Sequence, residues 1–296
     1  MGRKICYSYT GVTNTMKVLV TGASGFIGNH VVEYLLKSGA DVIATSRNID
    51  KAKSFGWFSR VTYIPYELNK SIHKDLFTLF KEPDLLIHLA WEGLPNYKDL
   101  FHFERNLSEN YAFIKNLLQN GLKKLSVTGT CLEYGMQNGC LDEGVPTMPD
   151  TPYSIAKDTL RRFIDALSRQ YRFDYTWIRL FYLYGKGQNE NAILSQLDRA
   201  IDNNEEVFNM SGGEQLRDYL HVEKAAEFIV KISIQNQKNG IFNCCSGKPI
   251  SIRKLVEDHL KTRGKHIKLN LGYHDYPEYE PMAFWGCNRK MKSVVS

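Results

Sequence analysis

The sequence predicts an α/β fold, in which a doubly wound parallel sheet is followed by a smaller C-terminal lobe. Apolar strand-like segments alternate with helix-like segments up to residue 181, and a glycine-rich turn separates the first strand from the first helix. After residue 181 the pattern changes to short strand-like segments between helices. We therefore divide the chain into a leader (1–15), a sheet domain (16–181) and a lobe (182–296), and expect the leader to be disordered or extraneous.

Composition limits the classes of function. The chain has 296 residues, of which 43% are hydrophobic, and no apolar run reaches the roughly 20 residues of a membrane helix. Its net charge of +6 is spread along the chain, which suits an anionic small molecule better than nucleic acid. The six cysteines form no C-x-x-C pair, and no residues have metal-ligand spacing. We expect free thiols, no bound metal, no nucleic-acid or membrane partner, and a cytoplasmic location.

The glycine-rich turn follows the first predicted strand. Gly22, Gly25 and Gly28 have the spacing G-x-x-G-x-x-G. The first glycine allows a sharp turn, the second lets the backbone approach a pyrophosphate, and the third lets helix and strand pack closely. The helix whose apolar pattern begins at Ile27 offers free N–H groups to the phosphates. The alternative is a glycine turn that binds nothing, but the flanking strand and helix favour a dinucleotide site.

The second predicted strand, Asp41–Thr45, ends at Ser46 and Arg47, where the adenosine ribose of a dinucleotide is expected. An NAD-selective site usually has Asp or Glu at this edge. A guanidinium instead matches a 2′-phosphate. We therefore predict NADP(H), with NAD(H) less favoured; the alternative is an ordinary surface arginine.

The remaining segments continue the alternation. We predict strands at 61–65, 84–90, 125–128 and 175–181, helices at 73–80, 99–120 and 153–170 in the sheet domain, helices near 190–203, 222–235 and 251–263, and short strands at 207–208 and 218–220. Ligands of a parallel sheet bind beyond the carboxyl ends of its strands. We therefore expect residues 46–47, the loop 91–97 and residues 128–130 to surround a ligand.

Tyr153 and Lys157 are four residues apart at the start of a predicted helix, which places them on one face. A nearby ammonium favours the phenolate and lowers a tyrosine pKa from its usual value of about 10. Thr130 follows the fifth strand, where its hydroxyl can bond a substrate oxygen. Taken alone, the helix pair also fits an exposed surface, and the threonine also fits plain turn chemistry.

Seven short motifs occur in a fixed order between residue 17 and about residue 260. They are TGASGFIG (21–28), HLA (88–90), NL (106–107), TGT (128–130) with YG (134–135), YSIAK (153–157), RLF (179–181) with YG (184–185), and RDYLHV (217–222). In these motifs the chain resembles the extended short-chain dehydrogenase/reductase family, in the branch that modifies nucleotide sugars. The resemblance implies a Rossmann domain that binds a nicotinamide dinucleotide and a lobe that covers a nucleoside-diphosphate sugar.

The resemblance also implies roles for individual residues. Tyr153 would donate or accept a proton, Lys157 would bind the nicotinamide ribose, and Thr130 would hold the reacting oxygen. The implied cofactor contacts are Gly22, Gly25, Phe26, Ile27, Gly28, Ser46, Arg47, Glu67, Leu68, Leu89, Ala90, Trp91, Asn106, Thr128, Tyr153, Lys157 and Phe181. The implied substrate contacts are Trp91, Thr130, Cys131, Tyr182 and Arg217.

Departures from the family pattern narrow the expected activity. Dehydratases of the family carry Asp-Glu directly after the catalytic threonine, where this chain has Cys131 and Leu132, so we do not expect a 4,6-dehydratase. Tyr182 stands where many members have a substrate-contacting Asn. The loop WEGLPNY (91–97) is similar to that of bacterial reductases acting on nucleotide-linked 4-keto-6-deoxy sugars.

We therefore predict an enzyme that uses NADPH to reduce the C4 keto group of a nucleotide-linked 4-keto-6-deoxyhexose. The product would be a 6-deoxyhexose nucleotide for surface polysaccharide such as O-antigen. Two alternatives stay open, a nucleotide-sugar 4-epimerase with retained NAD and a non-catalytic dinucleotide-binding module. Arg47 argues against the first, and the presence of Thr130, Tyr153 and Lys157 argues against the second.

Further expectations concern single residues and assembly. We interpret His88 as a hydrogen-bonded core residue and His221 as a structural residue at the head of a helix. Arg217 is expected to contact the diphosphate, the alternative being a surface salt bridge with Asp218 or Glu214. Relatives pair through two long helices, which implies a possible homodimer through 99–120 and 153–170.

Overall fold

The computed structural model of this chain describes residues 15–68 and 75–295. The strands are β1 (Lys17–Thr21), β2 (Asp41–Thr45), β3 (Thr62–Tyr63), β4 (Leu85–His88), β5 (Lys124–Thr130), β6 (Gly139–Leu141), β7 (Asp174–Leu180), β8 (Tyr182–Tyr184), β9 (Val207–Asn209), β10 (Leu216–His221), β11 (Gly240–Cys244), β12 (Pro249–Ser251), β13 (Lys268–Asn270) and β14 (Phe284–Gly286). The helices are α1 (Phe26–Lys37), α2 (Ile49–Lys53), α3 (Leu76–Leu79), α4 (Leu107–Gln119), α5 (Pro152–Gln170), α6 (Ile193–Asp202), α7 (Val222–Ile234), α8 (Ile252–Arg263) and α9 (Arg289–Val295).

The main sheet has seven strands in the order β11-β7-β5-β4-β1-β2-β3, and every neighbouring pair is parallel. Along β1 the side chains alternate between two separate apolar cores. Val18 and Val20 pack on one face with helices α1 and α7, while Leu19 packs on the other with α4 and α5. Burial on both faces explains why the strands are continuous apolar runs. The predicted α/β fold with a doubly wound parallel sheet is confirmed.

The chain beyond residue 182 contributes to the main sheet as well as to the smaller lobe. After β8, α6, β9 and β10, the chain returns to the main sheet, where α7 covers one face and β11 pairs with β7. A separate apolar core lies between α6 and α8, around Leu197, Phe208 and Val256. The smaller lobe is therefore assembled from discontinuous segments, because strand β11 buries more backbone as a seventh strand than it would beyond the sheet.

Helix bounds differ from the prediction in two places. The segment predicted as one helix over 99–120 contains a π-helical turn, His102–Asn106, before α4. The wider turn directs His102 inward, where Nε2 lies 3.0 Å from the Asn96 carbonyl oxygen. The helix predicted at 73–80 is observed as Leu76–Leu79, while residues 73–74 and residues 1–14 of the leader lie outside the described part of the chain.

Within residues 15–68 and 75–295, no helix combines the length and apolar character needed to cross a membrane. The same residues contain no group of three or more His, Cys, Asp or Glu side chains arranged to hold a metal ion.

Candidate active site

The glycine turn after β1 has the geometry of a phosphate-binding loop. Gly22 has φ of 66°, and a Cβ there would lie 3.0 Å from the Ala90 amide nitrogen. A Cβ on Gly28 would collide with the Gly22 carbonyl oxygen. Helix α1 begins after Gly25 without a side-chain cap and without an acidic residue in its first turn. Its first N–H groups therefore remain available to an anion.

A cavity of about 390 Å³ runs from this loop along the carboxyl ends of β1, β2 and β4. It is lined by Thr21, Gly22, Ser24, Gly25, Thr45, Ser46, Arg47, Asn48, Lys51, Tyr66, Leu68, Leu89, Ala90, Trp91, Glu92, Asn106, Glu109, Asn110 and Phe113. We call it the dinucleotide groove, because an open helix N-terminus and a close-approach glycine at one end fit a bound pyrophosphate.

The structure brings nine of the proposed cofactor contacts into this groove: Gly22, Gly25, Ser46, Arg47, Leu68, Leu89, Ala90, Trp91 and Asn106. Phe26, Ile27, Tyr153 and Phe181 line a second cavity instead. Glu67, Thr128 and Lys157 line neither cavity, and Gly28 serves the packing of α1 on the turn.

A cluster of charged side chains lies at the end of β2, and the sequence analysis named only Arg47 of it as a cofactor contact. Arg47 Nη1 lies 2.7 Å from Glu92 Oε1, and Arg105 Nη2 lies 3.3 Å from the other oxygen. Ser46 Oγ accepts a hydrogen bond from Ser24 Oγ at 2.8 Å and lies 2.8 Å from the Tyr63 hydroxyl. Glu92 was predicted only as part of the 91–97 loop, because its partners lie in the bend after β2 and in the π-helical turn before α4, and no spacing links them.

The second cavity, of about 700 Å³, lies between the sheet and the lobe, and we call it the substrate cavity. Thr130 and Tyr153 both line it, and the Thr130 side chain lies near enough to the Tyr153 phenol to lower the pKa of that phenol. Thr130 is fixed at the end of β5, and Tyr153 in the first turn of α5 donates its backbone N–H to the Tyr97 carbonyl at 3.1 Å. Two hydroxyl-bearing residues that sequence reasoning paired from distant segments therefore line the same cavity.

Tyr153 is enclosed by aromatic rings. Their centroids lie 5.2 Å away for His102, 5.5 Å for Tyr97 and 6.0 Å for Trp91. Trp91 is fixed in turn, because its Nε1 donates to His102 Nδ1 at 3.1 Å. Apolar ring faces exclude water from the phenol. His102 was missed from the sequence because it belongs to no recognisable motif, and Tyr97 was included only as part of the 91–97 loop, without a role of its own.

Glu133 holds the backbone of Thr130. It is fully buried, and its Oε1 accepts from the Thr130 backbone N–H at 2.9 Å, while the Leu132 N–H donates to the Thr130 hydroxyl at 3.2 Å. Arg179 Nε donates to the other carboxylate oxygen at 2.7 Å. Glu133 was missed, although T-x-x-E is the sequence signature of this reciprocal capping.

Burial controls the protonation of the two helix residues. Burial raises the pKa of the Tyr153 phenol, and Tyr97 and Glu133 raise it further, whereas the contact with Thr130 lowers it. The prediction that Lys157 lowers this pKa is therefore not met. Burial lowers the pKa of Lys157 itself to about 7, opposed by the Glu133 charge. Its Nζ lies 4.3 Å from the centre of the Trp91 ring, so its charge faces tryptophan.

Arg217 lies in the lobe wall of the substrate cavity and is almost fully buried. Its Nη2 donates to Glu280 Oε2 at 3.0 Å, rather than to either acid that the sequence suggested. The Asp218 carboxylate accepts backbone N–H groups at 246 and 247, and Glu214 accepts from Tyr276. Arg217 is therefore a positively charged residue in the cavity wall, and its counter-ion is Glu280 from the C-terminal segment.

Cys131 and Tyr182, the other proposed substrate contacts, line the same cavity. Burial raises the pKa of the Cys131 thiol and that of the Tyr182 phenol, so both are neutral at pH 7. Trp91 lines the dinucleotide groove rather than the substrate cavity, so of the proposed substrate contacts it alone is placed on the cofactor side.

The interpretation of both histidines is confirmed. His88 is fully buried, with Nδ1 2.9 Å from the Thr21 hydroxyl and Nε2 2.7 Å from Asn110 Oδ1, and burial lowers its pKa to about 4. His221 Nδ1 accepts from the Glu223 N–H at the start of α7. Both are structural.

A groove that fits a dinucleotide and a threonine–tyrosine pair beside it define an oxidoreductase site of the nicotinamide-dependent class. The model of the NAD dependent epimerase/dehydratase family matches residues 18–245. The chain belongs to this family, which confirms the resemblance seen in the sequence, and it is an NAD(P)-dependent enzyme.

Individual relatives support the same assignment. The chain is 33% identical, over 92% of its length and 99% of the relative, to a dTDP-6-deoxy-L-talose 4-dehydrogenase (NAD(+)) of Aggregatibacter actinomycetemcomitans. It is 28% identical, over 90% of its length and 91% of the relative, to a CDP-abequose synthase of Yersinia pseudotuberculosis. A UDP-N-acetylglucosamine 4-epimerase from Methanobrevibacter ruminantium M1, in complex with UDP-N-acetylmuramic acid, shares the fold with a TM-score of 0.83 at 24% identity, covering 95% of this chain and 92% of that one.

Proposed function

We propose that this protein is a nucleotide-sugar 4-ketoreductase that converts a nucleotide-linked 4-keto-6-deoxyhexose to the 6-deoxyhexose, with NADPH as reductant. The observation that carries the proposal is that Thr130 and Tyr153 line one cavity together with the buried cation Arg217. The Thr130 and Tyr153 hydroxyls suit the keto oxygen of a nucleotide-linked keto sugar, and the Arg217 guanidinium suits its diphosphate. A relative named for dTDP-6-deoxy-L-talose supports this substrate class.

The chain's own residues supply the acid chemistry of such a reduction. When bound, the dinucleotide supplies a hydride to the carbonyl carbon. The Thr130 hydroxyl donates a hydrogen bond to the carbonyl oxygen, and Tyr153 gives that oxygen its proton. Because burial raises the Tyr153 pKa, the phenol is protonated at neutral pH and is a ready acid. Proton donation is the role that reduction requires.

The residues after Thr130 support reduction over dehydration. Elimination of water needs a further acid and base at these positions. Cys131 is a neutral thiol, and Leu132 has no ionisable group. Arg217 would bind the diphosphate by releasing Glu280, since a guanidinium binds phosphate through parallel hydrogen bonds.

The preference for NADPH rests on the edge of β2. Ser46 leaves no carboxylate at the ribose position, and Arg47 and Lys51 both line the groove there. The 2′-phosphate would take the place of Glu92 beside Arg47. Glu92 is also the feature that favours NAD, because a carboxylate can accept from ribose hydroxyls. The variant Arg47→Ala decides between them: we expect kcat/KM with NADPH to fall about tenfold and with NADH to be unchanged.

A nucleotide-sugar 4-epimerase is the second candidate. The roomy substrate cavity, about 700 Å³, would allow a keto intermediate to turn between two hydride transfers. Such an enzyme retains its NAD and turns over without added cofactor. Intact Thr130, Tyr153 and Lys157 oppose a third possibility, a non-catalytic dinucleotide-binding module.

The test is NADPH oxidation against a panel of nucleotide-linked 4-keto-6-deoxyhexoses, with the product configuration determined by NMR. Stoichiometric NADPH consumption with formation of a 4-hydroxyl product is the expected result. Interconversion of C4 epimers without net cofactor consumption would instead establish the epimerase. Tight binding of dinucleotide and sugar without any turnover would establish the binding module.

We place this reaction in the cytoplasm, where nucleotide sugars and reduced thiols coexist. We also propose a homodimer through the predicted helices 99–120 and 153–170. Phe163 of α5 supports it, since its ring is 43% exposed and contacts Tyr111 of α4 at 5.3 Å between centroids. An aromatic pair on the outer faces of two adjacent helices suits burial by a second copy.

A further inference from the structure

His102 lies in the π-helical turn before α4 and is bonded to both ends of the loop 91–97. Trp91 Nε1 donates a hydrogen bond to His102 Nδ1 at 3.1 Å, and His102 Nε2 lies 3.0 Å from the Asn96 carbonyl oxygen. The imidazole is fully buried and lines neither of the two cavities. One side chain therefore joins the first residue of the loop to a residue near its end.

These two hydrogen bonds fix the tautomer of His102. An indole N–H can only donate, so Nδ1 is the acceptor and carries no proton. A carbonyl oxygen can only accept, so the proton lies on Nε2. Burial lowers the pKa of His102, so the ring is neutral at pH 7, which is the form that this arrangement requires. A protonated Nδ1 would face the indole N–H as a second donor, and the hydrogen bond would be lost.

The loop that His102 holds carries the groups that surround the proposed proton donor. The Trp91 ring centre lies 4.3 Å from Lys157 Nζ and 6.0 Å from the Tyr153 ring centre. At the other end of the loop, the Tyr97 carbonyl accepts from the Tyr153 backbone N–H at 3.1 Å. The orientation of Trp91 and the course of the loop therefore decide the surroundings of the phenol and of the ammonium.

Asn106, at the end of the same π-helical turn, holds the loop at a third point. Its Nδ2 donates to the Glu92 carbonyl at 3.0 Å and lies 3.4 Å from His102 Nδ1. The bond to Glu92 does not involve the imidazole. A change at His102 should therefore free the Trp91 ring and the Asn96 end, while the loop stays attached at Glu92.

We propose that His102 is a positioning residue of the candidate active site: it holds the Trp91 indole beside Tyr153, in the geometry in which the phenol gives its proton to the substrate. Because His102 lines neither cavity, it acts through Trp91 and the loop rather than by touching the substrate. The proposal rests on the proposed function for the role of Tyr153, whereas the orientation of Trp91 can be measured without substrate.

The first experiment follows the indole N–H of Trp91 by ¹⁵N-correlated NMR of the ligand-free full-length chain. The sequence has four tryptophans, and Trp91→Phe identifies the Trp91 signal. In His102→Phe we expect this signal to shift upfield and its exchange with solvent to become about tenfold faster, because the indole loses its acceptor. The Trp57 signal, whose N–H donates to Asn29 Oδ1 at 2.8 Å, is the internal control and should not move. An unchanged Trp91 signal would overturn the proposal.

Two further variants separate the hydrogen bonds from the packing of the ring. His102→Asn places an amide oxygen near the position of Nδ1 and should restore the Trp91 signal, whereas His102→Gln places its amide near the position of Nε2 and should not. His102→Gln also replaces His102→Phe if the latter does not fold, since the same shift is expected of it. A Trp91 signal displaced equally in His102→Asn and His102→Phe would show that ring packing alone holds the indole, which contradicts the proposal.

Kinetics test the consequence for the reaction. With the keto sugar nucleotide that the parent reduces, we expect kcat to fall about tenfold in His102→Phe and to recover in His102→Asn, because a displaced loop misplaces the phenol. KM for the sugar nucleotide should stay unchanged, because Arg217 in the lobe wall is untouched. Equal kcat values in His102→Phe and the parent would contradict the positioning role.

His259→Phe is the matched control. His259 is also hydrogen-bonded, with Nε2 2.7 Å from Asp198 Oδ1, but it lies on α8 and lines neither the dinucleotide groove nor the substrate cavity. This variant should keep full activity. A parent protein that reduces none of the sugars would overturn the proposed function, and the Trp91 signal in His102→Phe then decides whether His102 positions the indole.

Discussion

The dinucleotide groove is shaped mainly by the backbone, whereas the substrate cavity is shaped mainly by side chains. In the groove, the shape comes from backbone: a positive φ at Gly22, a close contact at Gly28 and an uncapped helix end after Gly25. In the substrate cavity, the shape comes from side chains that meet from far apart in sequence, such as Arg217 and Glu280. A site made of backbone tolerates few residue types and leaves a pattern in the sequence, whereas a pair of side chains such as Arg217 and Glu280 has no fixed spacing that would reveal it.

The strongest test of this comparison is Tyr153→Phe. We expect kcat to fall about 10³-fold, within the range typical of general acid catalysis, while the dissociation constant of the dinucleotide stays unchanged. The phenol faces the substrate cavity and its loss leaves the groove intact. Stopped-flow kinetics and fluorescence titration measure the two quantities. The matched control Tyr111→Phe, on the outer face of α4, should keep full activity.

Retained activity in Tyr153→Phe would remove the proton donor from the proposed reaction. A loss of dinucleotide affinity in the same variant would show that the two regions are not independent.

Gly28→Ala should act on the dinucleotide groove rather than on the substrate cavity. The added methyl meets the Gly22 carbonyl, so α1 must shift away from the turn. Overpacking of this kind costs about 1–3 kcal/mol, and we expect dinucleotide binding weaker by at least roughly tenfold, as measured by calorimetry. Gly56→Ala is the control, because a Cβ there meets open space. If the two variants bind equally well, the backbone of the turn does not shape the groove.

Arg217→Lys should have a smaller effect, confined to the substrate. Lysine keeps the charge but loses the parallel hydrogen bonds, so we expect KM for the nucleotide sugar to rise about tenfold at an unchanged dinucleotide affinity. Initial-rate kinetics with each substrate varied in turn provide the measurement. An unchanged KM would mean that Arg217 serves only its pair with Glu280.

The smallest effect concerns pH. The pKa of Lys157 is lowered to about 7 in the folded chain, so between about pH 7 and its unfolded value near 10.4 the unfolded chain binds more protons. The free energy of unfolding contributed by this residue therefore rises with pH across that window. Urea unfolding at pH 7 and pH 9 should show a smaller rise in Lys157→Met than in the parent. If the free energy of unfolding rises equally from pH 7 to pH 9 in Lys157→Met and in the parent, the Lys157 ammonium is solvated rather than desolvated against Trp91.

The comparison also explains which predictions succeeded. The alternation of apolar strands and helices predicted the sheet, because burial on both faces demands continuous apolar strands. The expected lowering of the Tyr153 pKa by Lys157 failed, because helix spacing gives proximity along one element but not desolvation by others. His102 and Tyr97, which enclose the phenol, come from a loop and a π-helical turn that no propensity predicts.

The sequence by itself determined the parallel sheet, the phosphate-binding turn and the pairing of a threonine with a tyrosine, because these depend on local backbone geometry and on residue types at fixed spacing. Only the tertiary structure decided that Arg179 is the counter-ion of Glu133, that Glu92 and Glu280 neutralise the two cavity arginines, and that β11 completes the sheet. The reason is physical. A buried charge requires a partner, and which partner it finds depends on how distant segments pack.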